Sequence, residues 1–279
     1  MATRKYYSAR TGKLPARALT LELVKNLFLN LYHRWEQEGY FQECFGYNCI
    51  DAGDVPGKLG KNVDAAVEYA LRKRGLWPIE PYIAQYKEDD LFDVLEFLHD
   101  HISKPVKGHY HSFNGCGWHY ETFDLAEGQK LYREEVNALL EDYSTGYKIN
   151  SVGEVESIPE PGMAQLLTAE IKTKDSDVKD PMQAAIRKFL RYKSTIEDRK
   201  DAVRDLADAL EKLRPQLKSV LTKADDSDLF VIANKFHIRH NNAQQQRNYD
   251  RNIWLSWMFY FYLATLHAAT RLLEKAKKP

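Results

Sequence analysis

Cysteine is scarce in this chain, with three in 279 residues. So few thiols, odd in number, exclude a disulfide framework as the source of stability and suit a reducing compartment. Net charge is absent as well: 40 Lys and Arg balance 40 Asp and Glu, which excludes the strongly basic class of dedicated nucleic-acid binders. No Gly-x-Ser-x-Gly elbow, His-Glu-x-x-His pair or dinucleotide fingerprint occurs, so several large enzyme classes lose their signature. Long apolar runs are missing too. A bilayer span takes about 20 apolar residues, whereas the most apolar stretch, Ile253 to Leu266, is shorter and lies between Arg251 and Arg271. The opening MATRKYYSARTGKL is followed by no unbroken apolar segment, because Glu22 and Lys25 interrupt it. A cytoplasmic protein with no membrane partner is expected. There is no fixed-period repeat and no low-complexity tract.

What is present fits a globular protein. Hydrophobic residues make up 44% and charged residues 29%, outside the disordered and fibrous classes, and the length favours one large or two ordinary domains. Charge is unevenly spread. Residues 1–156 carry 18 basic and 24 acidic side chains against 22 and 16 in the rest, so the halves stand near −6 and +6.

Helical periodicity dominates. Stripes at i, i+3, i+4 and i+7 predict helices over about 18–38, 62–73, the region of Leu91 to Ile102 with an Asp89 or Asp90 cap, and the region of Tyr132 to Tyr143. A further helix starts at Met182, another at a Ser194–Glu197 capping box, and Pro215 should kink or end the latter. A short helix from Leu229 leads to Phe236, and a last helix, apolar nearly all round from Ile253 to Leu266, should be enclosed by others. Only YKINSVGEVESI reads as a β-hairpin, turning near Ser151 to Gly153. The expected fold is all-α in two helical domains, with one small hairpin near the end of the first: residues 1–158, a charged linker 159–181, and 182–279.

Two loop regions hold reactive side chains. Cys44, Cys49, Cys116 and His119 are four zinc-type ligands, but the Cys44–Cys49 step is loose and Cys116–His119 is an unusual second half. Small buried thiols in a packed loop are the simpler account, and no metal or cofactor is expected. The segment from Lys104 to Thr122 reads as a long loop. In it His109, His111 and His119 stand among Tyr110, Phe113, Trp118 and Tyr120, rings that either pin the loop or stack on a base, the first being favoured. Gly53 to Lys61 lacks the spacing and the Ser or Thr of a phosphate loop. The basic runs Arg72–Arg74 and Arg187–Lys193 read as solvated helix faces.

The densest polar cluster precedes the last helix: His237, Arg239, His240, Asn241, Asn242, three Gln and Arg247. The string NKFHIRHNN followed by WLSWMFYFYLATLH resembles the C-terminal segment of HEPN-type proteins of the abortive-infection J class, which are bacterial phage-defence proteins. FDVLEFLHDHISKP, GCGWHYETFD and YREEVNALLEDYSTGYKINSVGE are similar to the helical N-terminal domain of that class, so the resemblance covers most of the chain. It implies a small helical C-terminal domain, commonly dimeric, of a kind that often cleaves RNA without a metal ion. The family signature is an Arg followed, after four to six intervening residues, by a His. Arg239 matches the Arg, but positions 244 to 246 are all Gln.

His240 is the nearest replacement, inferred from proximity. The expected roles are proton transfer by His240 and phosphate-charge stabilisation by Arg239, with Asn241 orienting either. His237, Asn242 and Arg247 are the candidate RNA contacts. The expected function is that of an abortive-infection ribonuclease acting as a homodimer on RNA. The alternative is a non-catalytic sensor or interaction module descended from one. Neither the RNA nor the phage or host trigger is legible.

Overall fold

A computed structural model describes residues 6–13, 19–159, 162–221 and 250–276. Val24, Phe28, Tyr32 and Trp35 lie on one side of helix α1, Leu21–Gln37, and are buried there. The Thr20 hydroxyl starts it by accepting from Leu23 N–H at 3.3 Å. Helix α2, Val63–Leu71, is capped by Asn62, and α3 spans Glu88–His101. The residue before α3 is Lys87 rather than an Asp. Asp90 still contributes from inside the first turn, its carboxylate accepting from Lys87 N–H at 3.0 Å. Helix α4, Leu125–Leu140, is capped by Asp124. Trp35 and Tyr132 join α1 to α4 with ring centres 4.9 Å apart, and the Tyr132 hydroxyl donates to Leu95 C=O on α3 at 2.9 Å.

The fold is mostly helical, yet among the described residues of this part of the chain three antiparallel hairpins stand where one was expected. β1 (Tyr47–Cys49) pairs with β2 (Gly53–Val55), and β3 (Lys104–His111) pairs with β4 (Gly117–Asp124). β5 (Tyr147–Ile149) pairs with β6 (Val155–Ser157), the hairpin the sequence predicts. The expected loop from Lys104 to Thr122 is therefore mostly a two-stranded ribbon. Most of its strand residues are exposed or half-buried, so the alternation that betrays a strand over a core is weak.

Side-chain amides finish these strand edges. Gln42 donates to Trp118 C=O at 2.9 Å and accepts from Tyr120 N–H at 3.1 Å, and Asn137 does the same for both backbone groups of Ile149 at 3.1 and 2.6 Å. Each takes the place of a neighbouring strand.

The chain divides into two units, Met1–Ile158 and Pro159–Pro279. In the second, α5 spans Ser176–Leu190, α6 Ile196–Leu217 and α7 Arg251–Ala276. Residues 159–181 are not a linker throughout: Ile171 and Val178 are buried in the core of this unit, and α5 begins at Ser176 behind an Asp175 cap. Pro181 lies inside α5 and has no N–H for the Asp177 carbonyl. Lys212 Nζ stands 3.5 Å from that oxygen and supplies a donor. The capping box of α6 is Thr195–Asp198, one residue later than expected, and the helix runs two residues past Pro215.

Helix α7 buries one face, through Leu255, Met258, Phe259, Tyr262, Leu263 and Leu266, and exposes Ile253, Trp254 and Trp257 on another. It is not enclosed all round. Phe259 stacks on Phe189 of α5 at 3.9 Å between ring centres. Residues near the start of α6 and of α7 (Arg199, Asn252) share one groove, and residues near their ends (Gln216, Glu274) share another. The two helices therefore run in the same direction. No described helix is long and apolar enough to cross a membrane.

Candidate functional site

The residues expected to act on RNA, His237, Arg239, His240, Asn241, Asn242 and Arg247, lie outside the described residues, as does the expected helix from Leu229 to Phe236. What surrounds their attachment point is described. Asp250 caps α7, its carboxylate accepting from Ile253 N–H at 3.1 Å. A groove of about 600 Å³ opens beside this first turn, lined by Met163, Arg199, Asn252, Ser256, Trp257 and Phe261 among others. The Arg199 guanidinium lies 5.6 Å from the Phe189 ring centre, and its Nε is buried without a hydrogen-bond partner among the described residues. Trp257 stacks on Phe261 at 5.5 Å and meets Trp254 edge-on at 5.4 Å. A cation beside exposed rings is the set that stacks bases and meets phosphate.

The first unit assembles a second group. Cys49, His111, Cys116 and His119 bring their donor atoms within 4.8 Å of one another. Cys49 ends β1, where Gly53 at φ +69° closes the three-residue turn to β2. His111 ends β3, and Cys116 and His119 follow across the ribbon turn. In that turn Asn114, Gly115 and Gly117 all have positive φ, and 101° at Gly117 is a value that favours glycine. Register pairs His109 with His119 and His111 with Gly117.

Cys49 Sγ is 3.8 Å from His111 Nδ1, and Cys116 Sγ is 3.2 Å from His119 Nε2. His111 turns its other nitrogen, Nε2, to the Asp51 carboxylate at 3.2 Å. The His119 ring is buried against Tyr47 at 4.4 Å. Burial first, then His109 and His111, hold its pKa below the usual imidazole range.

Cys44, one of the four ligands considered from sequence, is not in this group. It sits in the short helix Gln42–Phe45, buried, where burial and then Glu43 push its thiol pKa up. Gly57 presses against it so closely that a Cβ there would fall 2.4 Å from the Cys44 carbonyl carbon. The Cys44–Cys49 spacing misleads because Cys49 points to a partner hairpin. The informative spacing is His111, Cys116, His119 within one ribbon, visible only once that segment is read as two strands.

Several of the other basic candidates are tied up in structure. Lys73 pairs with Asp90 at 2.9 Å and Asp93 at 2.6 Å, and Arg74 pairs with Glu68 at 2.7 Å. Lys58 donates to Glu43 at 2.6 Å, and Ser103 donates to the same carboxylate at 2.7 Å. Burial pushes the Glu43 pKa up, but these two hydrogen bonds outweigh it and hold the carboxyl below its usual range. Comparison with protein families, curated proteins and solved structures finds no match for this chain.

Proposed function

We propose that this is a cytoplasmic phage-defence protein of the abortive-infection J type whose second unit is an all-α, HEPN-like domain that cleaves RNA without a metal ion, as a symmetric homodimer. The observation that supports this best is the groove at the start of α7. It has the volume of a small-ligand site, it sets Arg199 beside Trp257, and it follows directly in sequence on the polar cluster.

Chemistry then divides among the cluster. His240 carries the proton near neutral pH, Arg239 meets the charge that grows on the phosphate, and Asn241 orients one of them. His237, Asn242 and Arg247 hold the RNA strand. The exposed Ile253, Trp254 and Trp257 support self-association, and a two-fold axis would set two clusters near each other. A second reading, a sensor that binds without cutting, is favoured by Gln244 to Gln246, which stand where the family signature places its His.

The test is RNA cleavage by the full chain and by Arg239→Ala and His240→Ala, with thermal midpoints on the same samples. Each substitution is expected to slow cleavage by about 100–1,000-fold and leave the midpoint unchanged. Unchanged cleavage with a fallen midpoint would make Arg239 a structural residue.

A further inference from the structure

We infer that Cys49, His111, Cys116 and His119 bind one structural zinc ion that fastens the tip of the β3–β4 ribbon to the β1–β2 hairpin. This rests on residues of the first unit and is independent of the proposed RNA chemistry.

Geometry comes first. Zinc bonds of about 2.0–2.3 Å set the edges of a tetrahedron at about 3.3–3.8 Å. The Cys49–His111 and Cys116–His119 sulfur-to-nitrogen separations, 3.8 and 3.2 Å, fall at or close to that range, and no donor pair exceeds 4.8 Å. Two sulfurs and two imidazole nitrogens in a tetrahedral set select zinc over calcium or magnesium, which take oxygen ligands. Four protein donors also close the coordination sphere, as in structural sites, leaving no position for a reacting water.

The surroundings match such a role. A carboxylate behind a metal-bound imidazole fixes its tautomer and raises its basicity, and Asp51 stands at 3.2 Å from His111 Nε2, leaving Nδ1 for the metal. Gln42 holds the backbone on both sides of His119 at 2.9 and 3.1 Å, so the ring is positioned before any ion arrives.

The ribbon tip also needs a fastening. Tyr110, Phe113 and Trp118 are more than half exposed, so little apolar burial anchors it. Four ligands drawn from two hairpins supply a cross-link that a core cannot. A Cys49–Cys116 disulfide is the competing chemistry, and it would leave both imidazoles without a task.

The experiment measures metal and thiols on the full chain, purified without a histidine tag from zinc-replete culture. Elemental analysis should find about one zinc per chain, the ratio set by one closed four-ligand site. Replacement by cobalt(II) should give the intense visible bands of tetrahedral cobalt with thiolate ligands. Cys116→Ser and His119→Ala should lose the metal, while Cys44→Ser should keep it. A chelator should lower the thermal midpoint of the wild-type chain and leave that of Cys116→Ser where it stands.

If the variants fail to fold, zinc content and the cobalt spectrum of the wild-type chain decide alone. Folded wild-type protein that takes up neither metal, a Cys49–Cys116 disulfide found by thiol titration, or equal loss of zinc from Cys44→Ser would each overturn the proposal.

Discussion

His99 in α3 is buried, and each ring nitrogen has a neighbour: Asp100 Oδ1 lies 3.4 Å from Nδ1 and Arg133 Nη1 lies 2.9 Å from Nε2. A guanidinium only donates. Nε2 must therefore accept, Nδ1 carries the proton, and the ring is neutral. Burial lowers its pKa first, Asp100 offsets part of that, and Arg133 lowers it further, with a net shift below the usual imidazole range. The folded state thus binds this proton less readily than the unfolded chain. The stabilisation is complete above the unfolded pKa and is lost as pH falls through the folded one. Thermal midpoints of wild type and His99→Gln, followed from above to below about pH 6.5, should diverge: the wild type falls with acidification and the variant responds less. Parallel curves would mean that His99 does not set the acid limit. Gly153 guards the same ring from the β5–β6 turn, where a Cβ would come within 2.5 Å of Nδ1.

At the scale of the element, α6 depends on its first turn. Thr195 Oγ1 accepts from Asp198 N–H at 3.1 Å and the Asp198 carboxylate accepts from Thr195 N–H at 2.9 Å, a reciprocal box. Thr195→Ala should lower stability by about 1 kcal/mol, read as a drop in the urea midpoint with unchanged slope. No drop would mean that the helix start is held by core packing alone. The position of this box shows what sequence can and cannot give. Ser194 followed by Glu197 looks equally suitable, and the one-residue choice is made by Ala202, Val203, Leu206 and the rest of the stripe meeting the core.

Helices were legible because their stripes repeat. α1, α2, α3 and α6 lie within a few residues of their expected spans, since Val24, Phe28, Leu95 or Leu206 can be buried in only one phase, while α4 begins seven residues before its first expected stripe residue, Tyr132, and ends short of Tyr143. β3 and β4 were not legible, because a ribbon exposed along much of its length shows little alternation. The start of α5 was hidden for a related reason: one inward Val178 in a run of charges leaves no stripe to read. At the metal cluster Cys49, Cys116 and His119 were visible as candidates, whereas His111 was grouped with the aromatic loop. Its role depends on a hairpin pairing that spacing alone does not encode.

At the scale of the molecule, each unit has its own interior. Among the described residues, the buried core of Pro159–Pro279 runs from Ile171 to Leu273, with Leu166 and Leu167 packed against it, and the first unit buries Phe28, Trp35, Leu95, Leu98 and Tyr132. Expressed separately, 1–158 and 159–279 should each unfold cooperatively, followed by circular dichroism in urea. A fragment that stays unfolded alone would show that the units share their stability. The division also sorts the proposals: the metal cluster belongs to the first unit, and the RNA chemistry to the second.

Ribonuclease action in the second unit is the central claim, and cleavage of RNA in the presence of EDTA tests it most directly. The wild-type chain is predicted to cut without divalent metal, and Arg239→Ala and His240→Ala to cut more slowly by about 100–1,000-fold, the loss expected for one group that stabilises transition-state charge. Cutting that stops in EDTA while the chain stays folded and returns with magnesium but not with zinc, or that proceeds equally in Arg239→Ala, would contradict the account; RNA that is bound and left intact by the wild type would make the protein a sensor instead.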